Sequence, residues 1–105
     1  MVQQQEPIDS ARDWVAEHAR RYVASDGADG HLWRGYPTLV LITTGRRSGA
    51  PRRQMLIYGR DGDRYIVVAS KGGADTHPLW YLNLMEQPEV QVQVLSDRFT
   101  ARARP

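Results

Sequence analysis

A chain of 105 residues is one domain's worth and can bury a single modest core. It has no cysteine, which excludes a disulfide framework and thiolate chemistry, and its three histidines, His18, His31 and His77, lack metal-ligand spacing. The net charge of +2 says little about partners, so the distribution of charge has to carry the argument: of 14 basic residues only Lys71 is a lysine.

Residues 1–9 read as a flexible tail, with Pro7 discouraging an earlier helix start. The polar N-terminus has no signal-peptide pattern and no apolar run reaches membrane-spanning length, so a cytoplasmic protein is the default. Asp9 or Ser10 can cap a helix. Trp14, Val15, Ala19, Tyr22 and Val23 recur at helical spacing and predict a helix from about Ser10 to Ser25. Glu17 and His18 fall on its polar side, and His18 reads as a solvated surface histidine rather than a ligand. The helix could be interfacial, but docking on the rest of the domain is the favoured reading.

A loop at Ser25–Gly30 ends the helix. The connector from His31 to Pro37 holds Trp33 and Tyr36, which either seal one end of the fold or cover a ligand. Thr38–Thr44 is a continuous apolar run that predicts a strand buried on both faces, and a second strand is expected over Gln54–Gly59. Between them, Arg46, Arg47, Arg52 and Arg53 fall within eight residues, punctuated by Gly45, Ser48, Gly49 and Pro51. Guanidinium groups this close repel one another unless they are solvated or share an anion. The stretch therefore reads as an anion clamp on a turn between two strands.

Arg60–Asp63 predicts a hairpin turn and Arg64–Ala69 a third strand. Ser70-Lys71-Gly72-Gly73 is a second basic, glycine-rich loop, either an ordinary strand exit or an anion-binding nest. Asp75 or Thr76 can cap a short helix with Pro78 in its first turn, apolar nearly all round through Met85. Glu89–Leu95 alternates, with Val90, Val92 and Val94 on one face and Gln91 and Gln93 on the other, which predicts a half-buried strand. Ser96–Arg98 reads as a turn and Phe99–Arg104 as the last strand. The order predicts an α+β, mainly β, largely antiparallel domain with an N-terminal helix and one short inserted helix, its strands closing into a small barrel.

The blocks Gly45-Arg46-Arg47-Ser48-Gly49, Pro51-Arg52, Ser70-Lys71-Gly72-Gly73 and His77–Leu84 resemble the deazaflavin (coenzyme F420)-dependent nitroreductase and quinone reductase family of actinobacteria, from about Thr38 to Arg104. The resemblance implies a single split β-barrel domain of the FMN-binding-like kind over residues 1–105. It also implies hydride transfer from reduced 8-hydroxy-5-deazaflavin, coenzyme F420, to a quinone, nitro compound or similar acceptor. Arg46, Arg47 and Ser48 would hold the coenzyme's phosphate and glutamate tail. Arg52, Arg53, Gln54, Met55 and Leu56 would lie along the phosphate and the ring. Val68, Ala69, Ser70 and Lys71 would line the next edge, and Leu79, Trp80, Tyr81, Leu82 and Asn83 would close the site.

Trp80 either shapes the pocket or packs in the core, and Asn83 is expected to contact a ligand or backbone. No catalytic residue is assigned. Met55 stands where the family usually has proline, and family members continue beyond the position of Pro105 with helical, tyrosine-bearing sequence that helps form the substrate pocket. Some members associate with the membrane, so a peripheral contact at its inner face is open, as is a homodimer. Three alternatives stand beside the enzyme: an F420-binding carrier without turnover, an FMN-binding split barrel, and a small nucleic-acid-binding barrel. The near-balanced charge and the single basic loop argue against nucleic acid.

Overall fold

The computed structural model describes residues 13–68 and 78–104. Helix α1 spans Asp13–Ala24. Ala16, Ala19 and Tyr22 are buried along one face, and Glu17, Arg20 and Arg21 face outward. His18 is also buried, at 6% exposure, which corrects the expectation of a solvated histidine. The cause lies in the next loop. Gly27 N–H bonds the Tyr22 carbonyl at 2.8 Å and Asp29 N–H bonds Ser25 Oγ at 2.8 Å. The loop thus folds back along the helix, and Gly30, at φ +103°, presents its carbonyl to His18 Nε2.

The expected connector is a hairpin. Strand β1 (Leu32–Trp33) pairs with the start of β2 (Tyr36–Thr44) around Arg34 and Gly35, both at positive φ, as a two-residue turn of the primed type needs. The Arg34 guanidinium lies 4.6 Å from the Trp33 ring centre. Tyr36 is exposed and seals nothing.

Strand β2 is the centre of a five-stranded antiparallel sheet. On one side it pairs with β3 (Pro51–Ile57), from Thr38↔Ile57 to Thr44↔Pro51. On the other it pairs with β6 (Glu89–Val94), which in turn pairs with β7 (Asp97–Arg102). Strand β3 begins three residues earlier than predicted, because proline is tolerated at the first position of an edge strand. The last turn is likewise shorter than Ser96–Arg98: the pair Val94↔Asp97 leaves only Leu95 and Ser96 between strands, with Leu95 at φ +55°.

The mainly β, antiparallel architecture is as expected, but barrel closure is not. Among the described residues, β4 (Gly59–Asp61) and β5 (Arg64–Ile66) form a separate two-stranded ribbon. The predicted third strand is therefore cut to three residues, and Ala69 lies outside the described residues. The ribbon is joined to the sheet by rings. Tyr58 meets Tyr65 edge-on at 5.2 Å, Tyr65 stacks on Phe99 of β7 at 5.7 Å, and Tyr58 approaches His31, which approaches Tyr22 of α1. Its two-residue turn places Gly62, φ +62°, at the first central position.

Helix α2 spans Leu79–Glu86 and starts after Pro78, whose extended backbone stands at the N-cap with no side-chain cap bond. The proposed caps Asp75 and Thr76 lie outside the described residues. Trp80 and Leu84 of α2 pack with Leu39, Leu41, Val90, Val92 and Val94 to make the core on one face of the sheet. The opposite face, on which α1 packs against β3, carries Val40 and Gln93, both nearly inaccessible. Strand β6 is therefore covered on both faces at Gln93, where a solvent face was expected. The Gln93 amide makes up for its burial by donating to the Leu95 carbonyl at 2.9 Å.

Candidate functional site

The turn between β2 and β3 runs from Gly45 to Ala50. It is closed by Gly45 N–H to the Ala50 carbonyl at 2.7 Å and by Gly49 N–H to the Gly45 carbonyl at 2.8 Å. Ser48 Oγ accepts from Ala50 N–H at 3.2 Å. A Cβ on Gly45 would lie 2.9 Å from that Oγ and 3.1 Å from the Ala50 oxygen, so a side chain there would have to displace the Ser48 hydroxyl and crowd the turn. Gly49, at φ +72°, reverses the chain.

Helix α2 anchors this turn through one buried side chain. Asn83 Oδ1 accepts from Arg46 N–H at 3.2 Å, and its Nδ2 donates to Thr43 Oγ1 at 3.3 Å. Of the two expected contacts, ligand or backbone, the structure shows a backbone contact. Trp80 is a core residue with Tyr81 edge-on to it at 6.3 Å. Leu79 is exposed, and Leu82 and Tyr81 are half-buried. Lys71 and Ser70 lie outside the described residues with Ala69.

The four arginines do not share one turn. Arg46 and Arg47 are exposed on it, whereas Arg52 and Arg53 belong to β3. Neighbouring strand residues face opposite ways. Arg52, opposite Thr43, is on the α2 side with Gln54 and Leu56; Arg53, opposite Ile42, is on the α1 side with Met55. The turn therefore offers two guanidinium groups, with Arg52 as the nearest addition from the strand.

Their charge is not balanced locally. Positions 30 to 60 contain six arginines and no Asp or Glu. Among the described residues, no carboxylate pairs with Arg46, Arg47 or Arg52. The ion pairs Arg20–Glu17, Arg21–Asp29 and Arg98–Asp26 lie along α1 and the loop that follows it. Unpaired guanidinium groups at the end of a rigid hairpin make an anion site.

At the other end of β3 lies a cavity of about 420 Å³, lined by His18, Trp33, Thr38, Met55, Leu56, Ile57 and Val68. Three of these, Met55, Leu56 and Val68, were expected at a ligand. His18, Trp33 and Ile57 were not, and the signal that could have found His18 is Gly30, whose carbonyl turns the imidazole inward. Along β3 the cavity end and the arginine end are about 20 Å apart at the ordinary strand rise.

Residues 14–105 match the family described as F420H(2)-dependent quinone reductase. An F420H(2)-dependent quinone reductase of Mycobacterium tuberculosis strain H37Rv is 44% identical over 89 residues, covering 84% of this chain and 60% of that protein. Among solved structures, an F420-H2 dependent reductase shares 38% identity at a TM-score of 0.55, over 60% of this chain and 55% of its own. A second, described as a domain-swapped dimer, shares 36% identity at a TM-score of 0.57, over 86% of this chain and 67% of its own. The chain thus spans about 60% of the length of the curated relatives it matches. With the match running from α1 to the end of the chain and the antiparallel fold shared with a solved reductase, this chain belongs to the F420H(2)-dependent quinone reductase family.

Proposed function

We propose that this chain is the coenzyme-binding part of an F420H2-dependent reductase that passes a hydride to a quinone. The observation that carries the reading is the pair of guanidinium groups, Arg46 and Arg47, that no carboxylate pairs with among the described residues, on a turn fixed by Asn83. A ligand with a multiply anionic tail and an apolar ring fits a strand with arginines at one end and an apolar cavity about 20 Å away. A mononucleotide offers one phosphate and uses the arginine end less fully.

When bound, the deazaflavin supplies the hydride; the protein supplies binding, orientation and exclusion of water. Arg46 and Arg47 hold the tail by charge-assisted hydrogen bonds, and Arg52 extends the cationic edge on the α2 side. The turn's own hydrogen bonds set these groups in place before the ligand arrives, which lowers the ordering cost of binding. Leu56 and Met55, on opposite faces of β3, bring apolar surface to the ring. Ser70 and Lys71 are assigned to the same edge. The outer edge of β3 has no strand partner among the described residues, and we assign self-association of the chain to it; light scattering on the purified protein reads this directly.

The test is a fluorescence titration with oxidised F420 beside FMN, followed by turnover of the reduced coenzyme with menadione. Tight F420 binding that is lost in Arg46→Ala/Arg47→Ala supports the reading. Preference for FMN, or F420 binding untouched by the double substitution, refutes it. Binding without menadione reduction identifies a carrier.

A further inference from the structure

The arginine turn carries a hydroxyl that the proposed function does not use. Ser48 is exposed, between Arg47 and Gly49. Its Oγ accepts from Ala50 N–H at 3.2 Å, and among the described residues its own hydrogen has no acceptor. The oxygen is thus held in place while its O–H stays uncommitted. Two guanidinium groups directly precede it, and no carboxylate pairs with either among the described residues. Strands β2 and β3 bring no acidic residue to the turn, since positions 30 to 60 contain no Asp or Glu. A dianion formed on this oxygen therefore meets cations on its own turn and no like charge from the flanking strands. The other two described serines lack this setting. Ser25 Oγ donates to the Arg21 carbonyl at 2.7 Å and accepts from Asp29 N–H at 2.8 Å, in a loop that also carries Asp26. Ser96 stands next to Asp97 in the turn between β6 and β7. A phosphate at either would be repelled by neighbouring carboxylates.

We propose that Ser48 is a phosphorylation site, and that its phosphate is held by the guanidinium groups of its own turn and shuts the anion site. The shutting rests on the proposed function; the modification does not. The donor is a nucleoside triphosphate, delivered by a serine/threonine kinase whose acidic cleft selects arginines just before the target. Ser48 Oγ bonds to the γ-phosphorus, and the bond from that phosphorus to the β–γ bridging oxygen breaks. The nucleoside diphosphate leaves with the bonding pair, the hydroxyl proton passes to the kinase's base, and nothing is oxidised or reduced. The product carries a charge of about −1.5 to −2 at pH 7 and three acceptor oxygens, which match the fork of a guanidinium group. Because this phosphate is tethered, it competes with a free ligand as though present at about millimolar concentration. The coenzyme tail must then displace an intramolecular anion, and Ser48 becomes a regulatory residue of the site.

The full chain is tested in two forms. In one, phosphoserine is encoded at position 48. In the other, the unmodified chain is incubated with magnesium ATP and an arginine-directed serine/threonine kinase, with Ser48→Ala as the site control in mass spectrometry. The kinase should add a phosphoryl group at Ser48. The ³¹P signal of the encoded phosphoserine should titrate at lower pH than the same residue in a flexible peptide, and should return to the peptide's behaviour in Arg46→Ala/Arg47→Ala. F420 affinity should be about tenfold or more weaker than in the unmodified chain. Failure of Ser48 to take the phosphoryl group, a ³¹P titration equal to the peptide's, or equal F420 affinity with and without the phosphate overturns the proposal. An unmodified chain that does not bind F420, with Ser48 phosphorylated and its ³¹P titration displaced, keeps the modification site and removes the coenzyme reading.

Discussion

The Tyr22 hydroxyl accepts a hydrogen bond from the backbone N–H of Leu95 at 2.6 Å while donating to the Thr38 carbonyl at 3.1 Å. A single oxygen, at the end of a side chain with no exposed surface, thus ties helix α1 to the centre of the sheet and to the turn between β6 and β7. Leu95 is in the left-handed region at φ +55°, and its other backbone group is held by Gln93.

Removing that oxygen leaves two buried backbone groups without a partner. Tyr22→Phe is expected to cost about 2–3 kcal/mol, read as a fall in melting temperature of about 10 °C or more. A shift under about 2 °C would show that the hydroxyl contributes little.

The same burial gives the protein an alkaline limit. Burial pushes the Tyr22 phenol above its ordinary value near 10, as it does Tyr58, which Tyr65 pushes further. For groups whose folded pKa is raised, stability is fully present below the unfolded pKa and is lost as pH rises above it, because the unfolded chain releases protons the folded chain retains. Urea midpoints should be flat up to about pH 9.5 and fall above pH 10, and Tyr22→Phe should flatten the fall. An identical alkaline slope in that variant would assign the effect elsewhere.

Gly27→Ala probes the other side of the same contact. A Cβ there would sit 2.6 Å from the Leu95 Cα, and Gly27 has φ +84°. Backbone atoms cannot rotate away, so a loss of roughly 2–4 kcal/mol is expected. Gly35→Ala, equally positive in φ but with open space around its Cβ, should cost about 1 kcal/mol. Chemical denaturation of the two variants separates strain from clash.

Asn83→Ala should weaken F420 binding without touching a guanidinium group. The substitution strips Arg46 N–H and Thr43 Oγ1 of a shared partner, lowering stability by about 1–3 kcal/mol and freeing the turn. Affinity should fall about tenfold if the turn must then be ordered on binding. Unchanged affinity in a destabilised variant would make Asn83 purely structural.

Coenzyme binding should depend on salt and on the guanidinium fork. Tenfold more salt screens exposed charges and should weaken F420 binding. Arg46→Lys keeps charge but loses paired donation, so its affinity should lie between those of wild type and Arg46→Ala. Titrations at two ionic strengths check both statements.

The periodic parts of the sequence predicted their elements well. The apolar run from Thr38 and the alternation from Glu89 became β2 and β6 because burial follows such patterns directly. What was not legible depended on partners distant in sequence. His18 sits on a polar helix face and is buried where Gly30 returns to it; Gln93 sits on a polar strand face and is buried with its amide turned back to the Leu95 carbonyl. Arg52 and Arg53 cluster in sequence with Arg46 and Arg47, yet the ladder to β2 reaches back to Pro51 and turns them to opposite sides. The arginine turn itself was legible, but its anchor, Asn83, lies 37 residues away from Arg46.

The ring contacts from Tyr22 through His31, Tyr58 and Tyr65 to Phe99 have a mechanical consequence. The β4–β5 ribbon shares no hydrogen-bonded ladder with the sheet among the described residues, so it can tilt by sliding aromatic faces without breaking a backbone bond. Its amide hydrogens should exchange as a group of their own, ahead of those of β2 and β6.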